Sequence, residues 1–236
     1  MGILFLKKKM YYLLCILAVL AVCLAGDLVI IDEEVYSVFR VIWESPAKAL
    51  NLCDMKQAFD AGVSGWFCLL LPVASLPFAS YLSDERKSGL HLYVKGRQGS
   101  FRYLHTKLFS SFASSTVTLV AGLGAYILTV AFCFPLNPHN EGTEVIGAVE
   151  VTVWGLCGHI AVRTAYFLAC GMALSMLMGL FVCLYNDLCV DFCLVFLFNY
   201  LFSRSFDGES FIHVFLLMVV TGIAYTAVRW FRRDWL

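Results

Sequence analysis

The 236-residue chain is 61% apolar and 14% charged, with 17 basic and 17 acidic side chains, and its mean hydropathy is +0.80. Soluble domains are roughly 45–50% apolar and about 25% charged, and one core of this size cannot hide so much apolar surface from water. The composition excludes a wholly soluble globule and calls for lipid as part of the solvent.

A helix needs about 20 mostly apolar residues to span a bilayer. Six stretches meet or approach that length, which predicts an all-α polytopic membrane protein with a single transmembrane domain over residues 1–236. The first, 10–26, follows Lys7-Lys8-Lys9. Its basic start and small residues from Ala21 to Gly26 also describe a signal peptide, but the five later segments favour an uncleaved anchor. Residues 27–60 form a non-spanning stretch with Asp32, Glu33, Glu34 and several aromatics, where Ser45-Pro46 suits the start of a short helix. The second span, 61–82, contains Pro72 and Pro77, which predict a kink.

The third span covers 108–134, with Ser114, Thr118 and Gly122 spaced by four. Residues 135–164 come next as a second non-spanning stretch, in which 147–154 is too short to cross and suits the interface or a re-entrant segment. The fourth span, 165–185, has a similar small-residue row at Gly171, Ser175 and Gly179. Such rows let helix backbones approach closely, within one bundle in the preferred reading or between subunits in the alternative. The fifth span, 188–202, carries Asp191, and the sixth is 211–228. Asp191 and Arg163 are the charges nearest the membrane interior. Asp191 is expected at the headgroups, four residues after Asp187, and Arg163 near an outer helix end. Phe181, Met172, Met176 and Met178 suit contact with lipid, or equally an amphipathic cargo.

Basic residues orient the chain. With both termini in the cytoplasm, that side receives Lys7–Lys9, the cluster from Arg86 to Lys107, and Arg229, Arg232 and Arg233. The outside receives only Arg40, Lys48, Lys56, Arg163 and Arg204, which is twelve basic residues against five. The location predicted is the plasma membrane. None of the ten cysteines forms a CxxC pair, and a Cys53–Cys157 disulfide on the outer side stays open. No HExxH, G-x-S-x-G or G-x-x-x-x-G-K-[ST] stretch is present, so no catalytic, cofactor-binding or metal-binding residue is assigned and the chain itself is not read as an enzyme.

Residues 83–107 are the one substantial cytoplasmic loop. They read as two short helices: an apolar strip at Leu90, Leu92, Tyr93 and Val94 after a charged run, a turn at Gly96 and Gly99, then Ser100 as N-cap of the helix entering the third span. On charge alone such a loop lies against anionic headgroups. Its order of residues, however, resembles the loop between the second and third spans of ATP-binding-cassette (ABC) exporter permeases of the type-2 family. Glu85 matches a Glu after the second span, Gly89 a Gly four residues later, Arg97 and Ser100 a basic residue and a Ser near the turn, and Lys107 a Lys at the entry to the third span.

The resemblance implies a coupling helix that docks on a separate nucleotide-binding ATPase subunit, present in two copies, with ATP and Mg held there and none in this chain. It also implies a second permease copy or a similar permease, and export of a peptide, drug or lipid-like substrate. A membrane-embedded enzyme with a dispersed site and a non-transporting membrane scaffold are the alternatives.

Overall fold

The computed structural model describes residues 2–31, 34–44, 53–64, 67–136, 153–185, 187–205 and 217–226. The chain is mostly helical. In order it forms α1 (Gly2–Leu24), β1 (Asp27–Ile31), β2 (Glu34–Ser37), α2 (Val38–Glu44), α3 (Met55–Ser64), α4 (Phe67–Lys87), α5 (Leu90–Gln98), α6 (Ser100–Cys133), α7 (Val153–Tyr185), α8 (Leu188–Ser205) and α9 (Leu217–Thr226). Among the described residues, two helices, α6 and α7, are long and apolar enough to cross a membrane. The number becomes three if α3 and α4, which meet at a 62° bend, act as one broken span.

The expected boundaries shift at several helices: α1 already begins at Gly2, eight residues before the first expected segment, and of the sixth, 211–228, residues 211–216 and 227–228 lie outside the described residues. The second segment does not run through 61–82 as one helix: Met55–Ser64 and Phe67–Lys87 are separate. Within α4 the helix continues through Pro72 and Pro77. The Ser75 hydroxyl donates to the Pro72 carbonyl at 2.7 Å, and the Ser80 hydroxyl to the Pro77 carbonyl at 3.0 Å. These bonds give backbone oxygens partners where water is scarce. The third and fourth segments begin eight and twelve residues before their apolar cores, at Ser100 and Val153. No Pro interrupts either extension, and a helix once nucleated propagates through polar residues. Of the 147–154 segment, 147–152 lie outside the described residues, and Val153 and Trp154 form the first turn of α7.

To the helices the structure adds a small hairpin inside the stretch expected to be a loop. β1 and β2 pair antiparallel, with Val29 opposite Tyr36 and Ile30 opposite Val35. These β-branched and aromatic residues favour the pleated conformation. The Val38 amide donates to the Gly26 carbonyl at 2.9 Å and closes the base of the hairpin against the end of α1. The next helix, α3, starts with a reciprocal cap. The Gln57 amide donates to Asp54 Oδ1 at 2.6 Å, and the Asp54 amide to Gln57 Oε1 at 3.4 Å. The Met55 amide donates to the Pro135 carbonyl, tying the start of α3 to the end of α6. The Ser45-Pro46 helix start, Asp32, Glu33 and the polar part of 137–152 lie outside the described residues, as do Arg229, Arg232 and Arg233.

The core centres on α4, which packs against α1, α6, α7 and α8. Leu70, Leu71, Ala74 and Phe78 of α4 are buried with Leu119, Leu123 and Tyr126 of α6 and with Phe167, Leu174 and Met178 of α7. The small-residue rows are divided between partners. On one face of α6, the Ser111 hydroxyl donates to the Ser175 carbonyl (2.7 Å) and Ser115 to the Gly171 carbonyl (3.4 Å), both on α7. On another face, Ser114 shares a 2.7 Å hydrogen bond with the Tyr12 hydroxyl of α1. Two turns on, Gly122 lies so near α1 that a Cβ there would come within 2.5 Å of Val19 Cγ1 and 3.4 Å of the Ile16 carbonyl.

Overpacking a tight helix contact costs about 1–3 kcal/mol. Gly122→Leu should therefore lower the melting temperature of the detergent-solubilised protein, whereas Gly124→Leu, with open space at its Cβ, should leave it near the parent value.

Candidate functional site

The loop from Glu85 to Lys107 is organised around one ion pair, with its carboxylate buried and its ammonium partly so. Glu85 is 4% exposed, near the last turn of α4. One of its carboxylate oxygens accepts from the Tyr103 hydroxyl at 3.2 Å and the other pairs with Lys107 Nζ. The ammonium also lies over two rings, 5.0 Å from the Tyr81 centroid and 5.4 Å from the Tyr103 centroid. A buried charge must be paired and hydrogen-bonded to be tolerated. Here the carboxylate has two donors, and the cation has a carboxylate and two ring faces. A second tether lies beside it, where the Arg86 guanidinium donates to the Val182 carbonyl of α7.

Between the two halves of that pair hangs α5. Gly89 takes the left-handed conformation (φ 73°) and accepts from the Leu92 amide at 3.1 Å, turning the chain out of α4. Gly99 (φ 80°) turns it into α6, donating to the Lys95 carbonyl and accepting from the Tyr103 amide. Gly99, not Ser100, is therefore the N-cap of α6; Ser100 is its first helical residue. No residue of α5 is buried. Leu90, Leu92 and Tyr93 are exposed, Leu92 by 63%, and the Arg97 guanidinium sits 5.9 Å from the Tyr93 ring centroid.

The residues singled out from the sequence thus fall into two groups. Glu85 and Lys107 meet inside the protein as an anchor. Gly89, Leu90, Leu92, Tyr93, Arg97 and Ser100 belong to the arm and its turns. Gly171 and Ser175 face α6, and Gly179 is in ordinary contact with Leu108 of α6, 3.5 Å from a Cβ placed there.

Two features were not foreseen. At the hairpin end, His159 Nε2 lies 2.8 Å from Asp60 Oδ1 and Arg163 Nε lies 3.7 Å from the same oxygen, joining α3 to α7. The Phe59 ring meets the imidazole edge-on. His159 and Arg163 are four residues apart on one helix face, which the sequence displays; Asp60 comes from another element. Asp191 is fully buried within the bundle, because α8 packs on α4 and α7. Neither of its carboxylate oxygens has a hydrogen-bond partner among the described residues.

Cys53 and Cys157 are both free, Cys53 buried and Cys157 exposed. Burial and the neighbouring Asp54 push the Cys53 thiol above its ordinary range. Met172 and Met176 line an apolar cavity of about 510 Å³ with Phe109 and Phe112, whereas Met178 is buried in the core. Among the described residues, no group of three or more His, Cys, Asp or Glu side chains is placed to hold a metal ion.

No protein-family model matches the chain, and no curated protein or solved structure shows significant similarity to it.

Removing one partner of a buried pair strands the other charge, at a cost of about 3–5 kcal/mol. Glu85→Gln and Lys107→Met should each lower thermal stability markedly, and the double variant Glu85→Gln/Lys107→Met should be less destabilised than either. If the two effects simply add in a double-mutant cycle, the pair is not the anchor.

Proposed function

We propose that this chain is the permease subunit of an ABC exporter, driven by ATP that a separate nucleotide-binding subunit hydrolyses. In this reading the chain has six spans and both termini in the cytoplasm, and it pairs with a second copy or a similar permease above two ATPase subunits. One observation carries it: the Glu85–Lys107 pair closes the base of α5, so a short helix with exposed Leu90, Leu92 and Tyr93 is held at a fixed place beside the ends of α4 and α6. Those are the residues through which the loop resembles a coupling helix.

The mechanics depend on the connections. An apolar strip of three side chains fits a groove on a partner, and flanking Lys95 and Arg97 set its register. Force applied to α5 reaches α4 and α6 through the Glu85–Lys107 ion pair and α7 through Arg86. A partner that closes on binding ATP would shift the balance between two arrangements of the bundle by its different affinity for each. Export of a peptide, drug or lipid-like substrate is the corresponding activity.

The decisive measurement is purification of the tagged chain from its native membranes with identification of co-eluting proteins. An ATPase subunit with a phosphate-binding loop should co-elute with the parent and be lost from Leu92→Asp/Tyr93→Asp, whose melting temperature should match the parent because neither side chain is buried. Elution without a nucleotide-binding partner would end this reading. Orientation is checked separately. A membrane-impermeant maleimide added to intact cells should label Cys157 in a variant that keeps only that cysteine, and should miss a sole cysteine placed at Lys95.

A further inference from the structure

A cavity of about 1070 Å³ lies between α1, α4 and α6 on the side of the bundle that carries the Glu85 anchor. Its wall changes character along its length. Pro77 and Phe78 of α4 and Val117 of α6 line one part, farther along their helices from α5. Ser83, Asp84, Lys87 and Ser88 line the part nearer α5, with Ser110 across from them on α6. At about 1.5 Å per residue, Pro77 to Ser88 covers roughly 16 Å of helix. That is the length scale of a polar head and the first half of an acyl chain.

The serines in this wall are not equivalent. Ser80, Ser88 and Ser110 each donate to a backbone carbonyl of their own helix, at 3.0, 3.0 and 2.8 Å, and Ser114 is paired with Tyr12. Ser83 is 2% exposed, and its hydroxyl has no hydrogen-bond partner among the described residues. A buried hydroxyl without a partner is costly, so a site that keeps one beside a cavity is suited to a ligand that supplies the missing acceptor. The charges at the polar end also differ in availability. Glu85 is already occupied by Lys107, whereas Asp84 and Lys87 are exposed and of opposite sign.

We infer that this cavity is a binding site for one zwitterionic phospholipid, with its acyl chain against Pro77, Phe78 and Val117. The Lys87 ammonium faces the phosphate, Asp84 faces the headgroup amine, and the Ser83 hydroxyl donates to an ester carbonyl. The site is formed within one chain and does not rest on the transport reading.

The test uses the full chain in detergent and a phosphatidylethanolamine carrying a photoactivatable group on its acyl chain, with labelled peptides mapped by mass spectrometry. Label should concentrate on the segments containing residues 77–83 and 110–117. Ser83→Ala should weaken labelling about fivefold, the equivalent of one hydrogen bond, with a melting temperature no lower than the parent's. Ala113→Trp, which fills the cavity, should abolish it. The same photoactivatable chain on diacylglycerol should label at least about tenfold less, since it lacks the charged head.

Label spread over all the exposed helix faces and indifferent to Ser83→Ala would mean annular lipid only, and would overturn the site. Equal labelling by diacylglycerol would overturn the phospholipid assignment. Neither result bears on whether an ATPase co-purifies.

Discussion

A buried carboxylate paired with a partly buried ammonium at the foot of two long helices sets the geometry of everything near it. Glu85 lies near the end of α4 and Lys107 is in the second turn of α6, so their pairing fixes where one helix stops and the other starts. Neither charge is stable there alone. The intervening segment must therefore fold back within the space the pair allows. Two glycines with positive φ, Gly89 and Gly99, make that return feasible and leave room for only a short helix between them. The exposed strip on α5 is a consequence. With the turns fixed, α5 packs chiefly on its neighbours α4 and α6, and among the described residues Leu90, Leu92 and Tyr93 stay exposed.

The opposite end of the bundle is held by different means. There the ties are backbone and side-chain hydrogen bonds between short elements: Val38 to Gly26, Met55 to Pro135, and the Tyr126 hydroxyl to the Ala58 carbonyl at 2.5 Å. The Asp60–His159–Arg163 contact belongs to the same set, but its side chains are about 30% exposed and a surface ion pair contributes little. The two ends thus differ in kind: one has charged side chains, Glu85 with Lys107 and Arg86 on the Val182 carbonyl, under an exposed arm, the other many weaker ties spread over a hairpin and two short helices.

Much of the helical architecture was legible because long apolar runs leave few alternatives. Its ends were less so, since hydropathy reports where lipid contact is favourable and not where hydrogen bonding stops; Ser100–Lys107 and Val153–Thr164 are polar or mixed yet helical. The hairpin was obscured because Leu28–Ile31 is equally apolar in a helix, and only the pairing with Val35 and Tyr36 reveals the strand. Asp54 and Gln57 form a capping signature that is visible at their spacing of three. In the site, Glu85 and Lys107 were each visible, but a contact between residues 22 positions apart is not written in either one. Asp60 and its partner His159 are 99 positions apart and gave no signal at all. Ser83 read as an ordinary residue at the edge of a loop; its significance comes only from its neighbours being satisfied while it is not.

The division of α6 into two slotted faces has a consequence for chain length. Ser111 and Ser115 engage α7, Ser114 and Gly122 engage α1, and Lys107 engages Glu85, all from one continuous helix. Each residue added to a helix rotates the remainder of that helix by about 100°. One insertion between Lys107 and Ser111 would swing both slots away from their partners while the ion pair stayed in place. The helix is therefore phase-locked from Lys107 to Gly122: side chains on it can be exchanged, but residues cannot be added or removed, and any change in length is confined to the connections at the hairpin end.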